Sequence, residues 1–384
     1  MSNIDVKYAQ LGGATGIMGA PVGPESVPPD GVGRYRHFQG GSIYWSPSTG
    51  AHEVHGDIRG LWASKGWERS LLGYPLTDET TTPDGVGRYN HFQGGSIYWT
   101  PATGAHEVHG AIRGLWSSLG WERGLLGYPL TDETTTPDGV GRYNHFQGGS
   151  IYWTPSTGAH EVHGAIRDLW ASMGWERSYL GYPTSNELST EDSTGRYSEF
   201  QHGSIYWSPA TGALACKQTV RLHVKCLTAP TRFGINTMIS NMRLVYATAQ
   251  IGVKYASFEN LNLPALNDLD VGACTMGSTT TEQNQLYANR NNVGAKDVVA
   301  YFVRSTVPPF NGCAAYPAGE PSCAVVSGAS AWTLAHEIGH VLGLNHVNDS
   351  NRLMTGNGTD NITNLPPDII ASEAATLLAS GLTN

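Results

Sequence analysis

The sequence predicts an α+β chain in two parts: four helix-plus-β-hairpin repeats over residues 1–212, then a second domain of strands and helices over 213–384. Three observations carry this. Gly-Tyr-Pro begins at Gly73, Gly127 and Gly181, and a Gly-Ala-Pro variant at Gly19, a constant step of 54 residues. A fixed period of that size marks a repeated supersecondary unit. All five cysteines (Cys216, Cys226, Cys274, Cys313 and Cys323) fall after the repeats. Finally, His336 to His346 reads H-E-I-G-H-V-L-G-L-N-H, a helix-spaced histidine pair followed by a third histidine.

Each repeat can be read along the second copy. Gly87-Arg88-Tyr89, Phe92-Gln93 and Gly95-Ser96-Ile97-Tyr98-Trp99 alternate aromatic and polar residues on both sides of a glycine pair. That pattern predicts two short strands joined by a turn. After Pro101-Ala102-Thr103-Gly104, the stretch His106 to Gly120 places Ile112, Leu115, Trp116 and Leu119 at helical spacing. It predicts an amphipathic helix. One period back, Ile4 aligns with Ile58, Tyr8 with Trp62 and Gly12 with Gly66, so the amino-terminal segment supplies the helix for the first hairpin.

This pattern resembles LGFP repeats in all four copies, with Tyr74, Tyr128 and Tyr182 where that family has Phe. The resemblance implies a secreted or cell-wall-associated protein and a module that binds cell-surface polysaccharide. Trp45, Trp99, Trp153 and Trp207 are then candidates to stack on sugar faces, with Arg34, Arg88, Arg142 and Arg196 donating to hydroxyls. The same tryptophans could instead fill the small cores of the units. His52 and His55, recurring as His106/His109 and His160/His163, form either a metal pair or the polar start of the helix.

In the second part, Thr219–Lys225 and 297–304 read as strands, and Arg232 to Gln250 as a helix carrying Ile235, Met238, Ile239, Met242, Val245 and Tyr246 at helical spacing. A third strand spans 324–328. Ser330 is an N-cap candidate for the helix that follows. A closing helix is expected over 366–380, with Pro366 at its start. Asn348, Asn357 and Asn361 begin N-x-S/T sequons. Cys313 and Cys323 flank a loop that one disulfide can staple, which leaves Cys226 to pair with Cys274 and Cys216 over. An unpaired thiol near a metal also admits a latency role, in which the thiolate caps the ion.

His336 and His340 are four apart, so on a helix both imidazoles leave one face and can share a metal ion. Gly343 ends that helix, and a left-handed turn there swings His346 back as a third ligand. Three neutral imidazoles leave a tetrahedral zinc ion one open position, where bound water loses much of its pKa. Glu337, on the flank of the same helix, is the natural general base and later the general acid. Beyond it, Arg352-Leu353-Met354-Thr355 supplies a methionine eight residues after His346.

The spacing H-E-x-x-H-x-x-G-x-x-H with a following Met resembles the metzincin clan of zinc endopeptidases. The resemblance implies a metzincin-like domain with a twisted mixed sheet, a zinc helix, a Met-turn at Met354 beneath the metal, and a C-terminal helix. It also implies one catalytic zinc ion, and an edge strand just before the zinc helix that pairs with extended substrate. Val347 departs from the Ser, Asp, Glu or Pro that often follows the third histidine in that clan.

Residues 1–212 hold 13 Lys/Arg against 21 Asp/Glu, and residues 213–384 hold 10 against 11. A first part at −8 does not suit nucleic acid or anionic lipid, which demand clustered cations. No run of about 18 apolar residues offers a membrane span. The amino terminus has neither a basic cluster before an apolar stretch nor a small-residue cleavage site, so no secretory signal is read there. The expectation is a zinc endopeptidase acting on protein or peptide substrates, extracellular or at the cell surface, and held to glycan by its repeats. The alternative is a polysaccharide-binding protein with a silent or structural zinc site. Glu337 speaks against it, since a structural site needs no base.

Overall fold

The computed structural model describes residues 1–383, and the chain divides into two compact units, residues 1–167 with 182–186, and residues 168–181 with 187 onward. The last repeat strands therefore belong with the second unit, although the sequence period runs through to residue 212.

In the second copy, β1 (Thr80–Thr81), β2 (Arg88–His91), β3 (Gly95–Thr100) and β4 (Gly104–His109) form an antiparallel sheet in that order, followed by α1 (Gly110–Ser118). A hairpin with a helix from His106 is thus corrected to a three-stranded meander with a two-residue edge. The ladder that pairs Gly95 with His109 and Thr100 with Gly104 claims the backbone of 104–109. The helix begins only at Gly110, whose φ of 52° turns the chain out of the strand.

No copy closes a core by itself. Tyr98, Val108, Ile112 and Trp116 of one copy pack with Leu126, Tyr128, Phe146 and Ile151 of the next. The helix between them is covered on both sides, and Trp116 is wholly buried. This is how repeats of this size gain stability, each apolar face covered by its neighbour. The amino-terminal helix Asn3–Gln10 serves the first sheet in the same way, Ile4 packing with Met18, Phe38 and Ile43. Gly87 allows the close approach between copies: a Cβ there would lie 2.5 Å from the Trp99 carbonyl oxygen and 2.7 Å from the Tyr128 ring.

The second unit is built on a five-stranded sheet. Its strands are β5 (Gln218–Cys226), β6 (Ile251–Asn260), β7 (Val298–Val303), β8 (Gly312–Cys313) and β9 (Ser322–Val326), in the order β6-β5-β7-β9-β8. All pairs are parallel except β8 with β9, so the sheet is mixed. The near-continuous burial of β7 and β9 is what a parallel sheet covered on both faces requires. The helices α2 (Ile235–Thr248) and α3 (Thr333–Val341) pack into one core with β5, β7 and β9, and α4 (Ala371–Leu378) closes the chain.

Four expectations are corrected here. The strand before the histidine helix, β9, is not the sheet edge, because β8 pairs outside it. The N-cap of α3 is Trp332 and not Ser330, whose hydroxyl bonds Thr333 Oγ1 (3.1 Å) and Thr359 Oγ1 (2.8 Å) and accepts the Trp332 N–H (3.3 Å). The last helix starts at Ala371 rather than Pro366, whose peptide bond is cis, and Glu373 accepts the Ile370 N–H at 3.2 Å. The disulfide joins Cys274 to Cys313 and not Cys313 to Cys323, with Cα atoms 5.8 Å apart. The register explains why: Cys313 lies opposite Ala324, so Cys323 points to the other face of the pleat. Cys216, Cys226 and Cys323 are buried free thiols, and Cys216 packs with Tyr206 and Ala247, away from any metal-capping position.

Candidate metal centre

The helix α3 presents His336 and His340 one turn apart, as their spacing predicts. Gly343 then adopts a φ of 102°, its N–H bonding the His340 carbonyl and the Leu344 N–H bonding the Gly339 carbonyl. This left-handed turn returns the chain so that His346 faces the pair. The three Nε2 atoms converge, His336 to His340 at 3.1 Å, His336 to His346 at 3.1 Å and His340 to His346 at 2.9 Å. A tetrahedral ion with Zn–N bonds of about 2.0–2.1 Å would hold such nitrogens about 3.3 Å apart. The set therefore fits a metal ion with adjustments of a few tenths of an ångström.

The outer nitrogens orient two of the rings. His336 Nδ1 donates to the Leu353 carbonyl at 2.7 Å and His340 Nδ1 to the Leu344 carbonyl at 2.8 Å. Each bond fixes the tautomer with a bare Nε2 facing the centre. Burial pushes His336 down to about 4, with the neighbouring His340 and His346 adding to it, and burial also lowers His340. Neutral imidazole, the form that binds metal, is favoured at both.

Met354 is fully buried, and a Cβ on Gly339 would stand 2.6 Å from its sulfur. The thioether thus lies directly against the helix between the two histidines. Val347 N–H bonds the Met354 carbonyl at 2.9 Å, and Gly356 N–H bonds the Val347 carbonyl at 2.9 Å. Through Leu353 and Val347 the turn around Met354 braces both the first and the third histidine segments.

Glu337 is 7% exposed, and burial pushes its carboxyl up to about 8. The backbone of β8 lies on its side chain: a Cβ at Gly312 would be 2.6 Å from Glu337 Cγ. Two recesses meet at this carboxylate. One, about 450 Å3, runs past His336, Thr333, Thr355 and Thr359, and the other, about 370 Å3, past Ala273, Met276, Ala314 and His340. Phe310 and Gly312 line both, and the Cys274–Cys313 disulfide ties this strand down beside the second recess. Sequence reading missed β8, because two residues of strand between prolines and glycines carry no periodic signal.

The other candidate residues are placed differently. Trp45, Trp99, Trp153 and Trp207 are half-buried on their strands, the first three packed against repeat cores, and Trp99 Nε1 donates to Asp57 at 2.8 Å. Arg88 is paired with Glu79. The repeated histidines sit on strands, and His55 and His109 bond carboxylates: His55 lies between Glu53 (2.8 Å) and Glu79 (3.2 Å), and His109 between Glu107 (2.8 Å) and Glu133 (3.0 Å). They do not pair as metal ligands. Among the described residues, His336, His340 and His346 are the one group of three or more His, Cys, Asp or Glu side chains arranged to hold an ion.

Fold and site together define a chain of β-meander repeats carried with a three-histidine cluster able to hold a metal ion, beside a buried carboxylate. The chain belongs to the LGFP repeat family, which matches residues 18–70, 72–124, 126–178 and 180–221. No curated protein matches it. Among solved structures it is similar in part to metalloproteinase-II from Bacteroides fragilis, at 14% identity over 62% of this chain and 78% of that one with a TM-score of 0.33. Archaemetzincin from Methanopyrus kandleri is similar at 14% identity over 42% of this chain and 95% of that one, TM-score 0.31.

Proposed function

We propose that the protein is a metzincin-type zinc endopeptidase targeted to a glycan-rich surface by its LGFP repeats. The observation that carries the catalytic half is the convergence of three Nε2 atoms within 3.1 Å beside Glu337. His336, His340 and His346 would hold one zinc ion, which when bound supplies Lewis acidity and lowers the pKa of water. Glu337 is the base that takes the proton of the attacking water, and it returns that proton to the leaving amine. Burial raises the Glu337 carboxyl, which suits it to hold the proton and hand it to the leaving amine.

The chain's own backbone aligns the substrate. The edge strand β8 offers an unpaired side on which an extended peptide can add as a further strand, with its side chains falling into the two recesses. Gly312, lacking a side chain, lets the peptide bond approach Glu337. Pro309 and Phe310 wall the same cleft.

Cleavage of casein by the wild type and by Glu337→Ala, at equal zinc content, tests the reading. Activity lost in the variant while zinc stays bound supports it. A wild type that binds no zinc overturns the catalytic half.

A further inference from the structure

Three polar side chains outside the metal centre form a line of hydrogen bonds from β6 across β5 to the residue before β7. Ser257 Oγ lies 2.7 Å from His223 Nδ1, and His223 Nε2 lies 3.0 Å from Asp297 Oδ2. None of the three lines either recess beside Glu337. One irregularity of the sheet brings them together. In β5, Val220, Leu222 and Val224 enter the apolar core, so Arg221, His223 and Lys225 leave the opposite face. Along the parallel strand β6, Tyr255 stands opposite Leu222, and the register then shifts by one residue so that Ser257, and not Ala256, stands opposite His223. A bulge of this kind re-aims a side chain. Since β6 is the sheet edge, Ser257 is exposed, whereas His223 behind it is 3% exposed.

The partners fix where the hydrogens sit. At Asp297 burial opposes the charge, but the His223 bond, the Gly294 N–H at 3.2 Å and Arg221 hold the carboxyl below the usual carboxylate range. A carboxylate only accepts, so His223 Nε2 carries the ring hydrogen and Nδ1 is bare. Ser257 Oγ–H therefore donates to Nδ1. A hydroxyl donating to a bare imidazole nitrogen, with the other ring nitrogen held by a carboxylate, is the arrangement that activates a serine. Arg221, two residues before His223 on the same face, has its Nε 3.4 Å from Asp297 and brings a partly exposed guanidinium to the group. That cation is available to the negative charge that develops on a carbonyl oxygen under attack.

We infer that Ser257 is the nucleophile of a second site, which hydrolyses small carboxylic esters able to reach an open strand edge, with His223 as its base and Asp297 as the residue that positions His223. Ser257 Oγ attacks the ester carbonyl carbon while its proton passes to His223 Nδ1. The bond from that carbon to the alcohol oxygen then breaks, and the alcohol leaves with the proton from His223. Water attacks the acyl–Ser257 ester through the same relay, releasing the acid and restoring the hydroxyl. The inference does not rest on the peptidase reading, because no step uses the three histidines or Glu337.

The test treats the full chain, with and without a zinc chelator, with a fluorophosphonate probe and with p-nitrophenyl acetate, for wild type, Ser257→Ala, His223→Gln and Asp297→Asn. Thermal midpoint and zinc content are measured in parallel. The expected result is probe attached to Ser257 in a peptide map and ester hydrolysis that survives chelation. Hydrolysis should fall to background in Ser257→Ala, and both readouts by about 100-fold or more in His223→Gln. Asp297→Asn should lower both and move the ring hydrogen of His223 from Nε2 to Nδ1 in the ¹⁵N NMR spectrum, a change that a merely structural role would not make. A wild type that is not labelled at Ser257 overturns the inference. So does hydrolysis that persists in Ser257→Ala, whose exposed side chain makes misfolding no explanation, or labelling that persists in a folded His223→Gln. Loss of hydrolysis on chelation assigns it to the metal centre and overturns the second site while leaving the peptidase reading intact.

Discussion

Gly312→Ala isolates the relation between β8 and the carboxylate. A Cβ at this position would stand 2.6 Å from Glu337 Cγ, 2.7 Å from Oε1 and 2.8 Å from Cδ. Carbon contacts that short cannot persist, and Glu337 is too buried to swing clear. Overpacking of this kind costs about 1–3 kcal/mol. For a unit of this size that lowers the melting temperature by roughly 2–10 °C. The larger effect is on chemistry, since displacing a catalytic group by about 1 Å is worth about 100-fold in rate. Zinc content should not change, because the atoms nearest the new methyl all belong to Glu337, which is not one of the three histidines. Gly328→Ala is the control: nothing lies within 4 Å of a Cβ there, so midpoint and activity should match wild type. A Gly312→Ala protein with wild-type casein cleavage would refute the placement of β8 against Glu337.

Replacing His336 by Ala should abolish stoichiometric zinc, read by metal analysis, while Met354→Leu, a volume-conserving swap, should retain it at a stability cost below about 1.5 kcal/mol. Peptide mapping without reduction should yield Cys274 joined to Cys313, and Cys274→Ser should lower stability by about 4 kcal/mol on the loop-entropy estimate, for a separation of 39 residues. The repeats should lose stability at both pH extremes, followed by tryptophan fluorescence. At Asp132 burial opposes ionisation, but hydrogen bonds from His106, Lys65 and the Glu107 N–H outweigh it and hold the carboxyl at about 2. Its contribution, about 1–2 kcal/mol after solvent screening, is complete above pH 3.8 and lost as the pH falls through 2; Asp132→Asn should flatten that limb. At His109 burial disfavours the charge, yet the Glu107 and Glu133 carboxylates raise it to about 9, so its contribution is full below pH 6.5 and lost as the pH rises through 9. His109→Gln should flatten the alkaline limb.

What could be read from the sequence is what depends on near neighbours in the chain. The spacing of His336 and His340 is a property of one helix, and the turn at Gly343 is a property of one residue, so the convergence of the three histidines was legible without any tertiary knowledge. The period of 54 was legible for the same reason. The strand β4 was not, because Gly104–His109 alternates no more clearly as a strand than Ile112, Trp116 and Leu119 do as a helix next to it. The ladder with β3 decided the matter, and ladder bonds leave no trace in the letters. The disulfide was misread on the same ground. Closeness of Cys313 and Cys323 in sequence says nothing about which face of a pleat each occupies, and the partner of Cys313 lies 39 residues away, brought near by the tertiary fold.

Glu122 shows how a buried charge escapes a sequence reading that sees its motif. Trp-Glu-Arg recurs at Trp67, Trp121 and Trp175, and the aromatic residue draws the eye. Structure reverses the emphasis. Trp121 is spent on packing, stacked on Tyr98 at 6.0 Å and against Trp116 at 5.1 Å with Arg113 over its face. That packing holds the left-handed turn and leaves the next residue, Glu122, nearly buried, its carboxylate accepting its own backbone N–H. A chain that needed only a cap at this point could place Ser or Asn there with its bonds satisfied. A glutamate drawn this far out of water, its carboxyl raised by burial, is offset by packing elsewhere, here in the shared cores on both sides of each helix. The same logic applies to Glu337, buried against Gly312 and raised to about 8. In both parts of the chain the packing of neighbours, and not the local motif, sets how far a carboxylate is withdrawn from water.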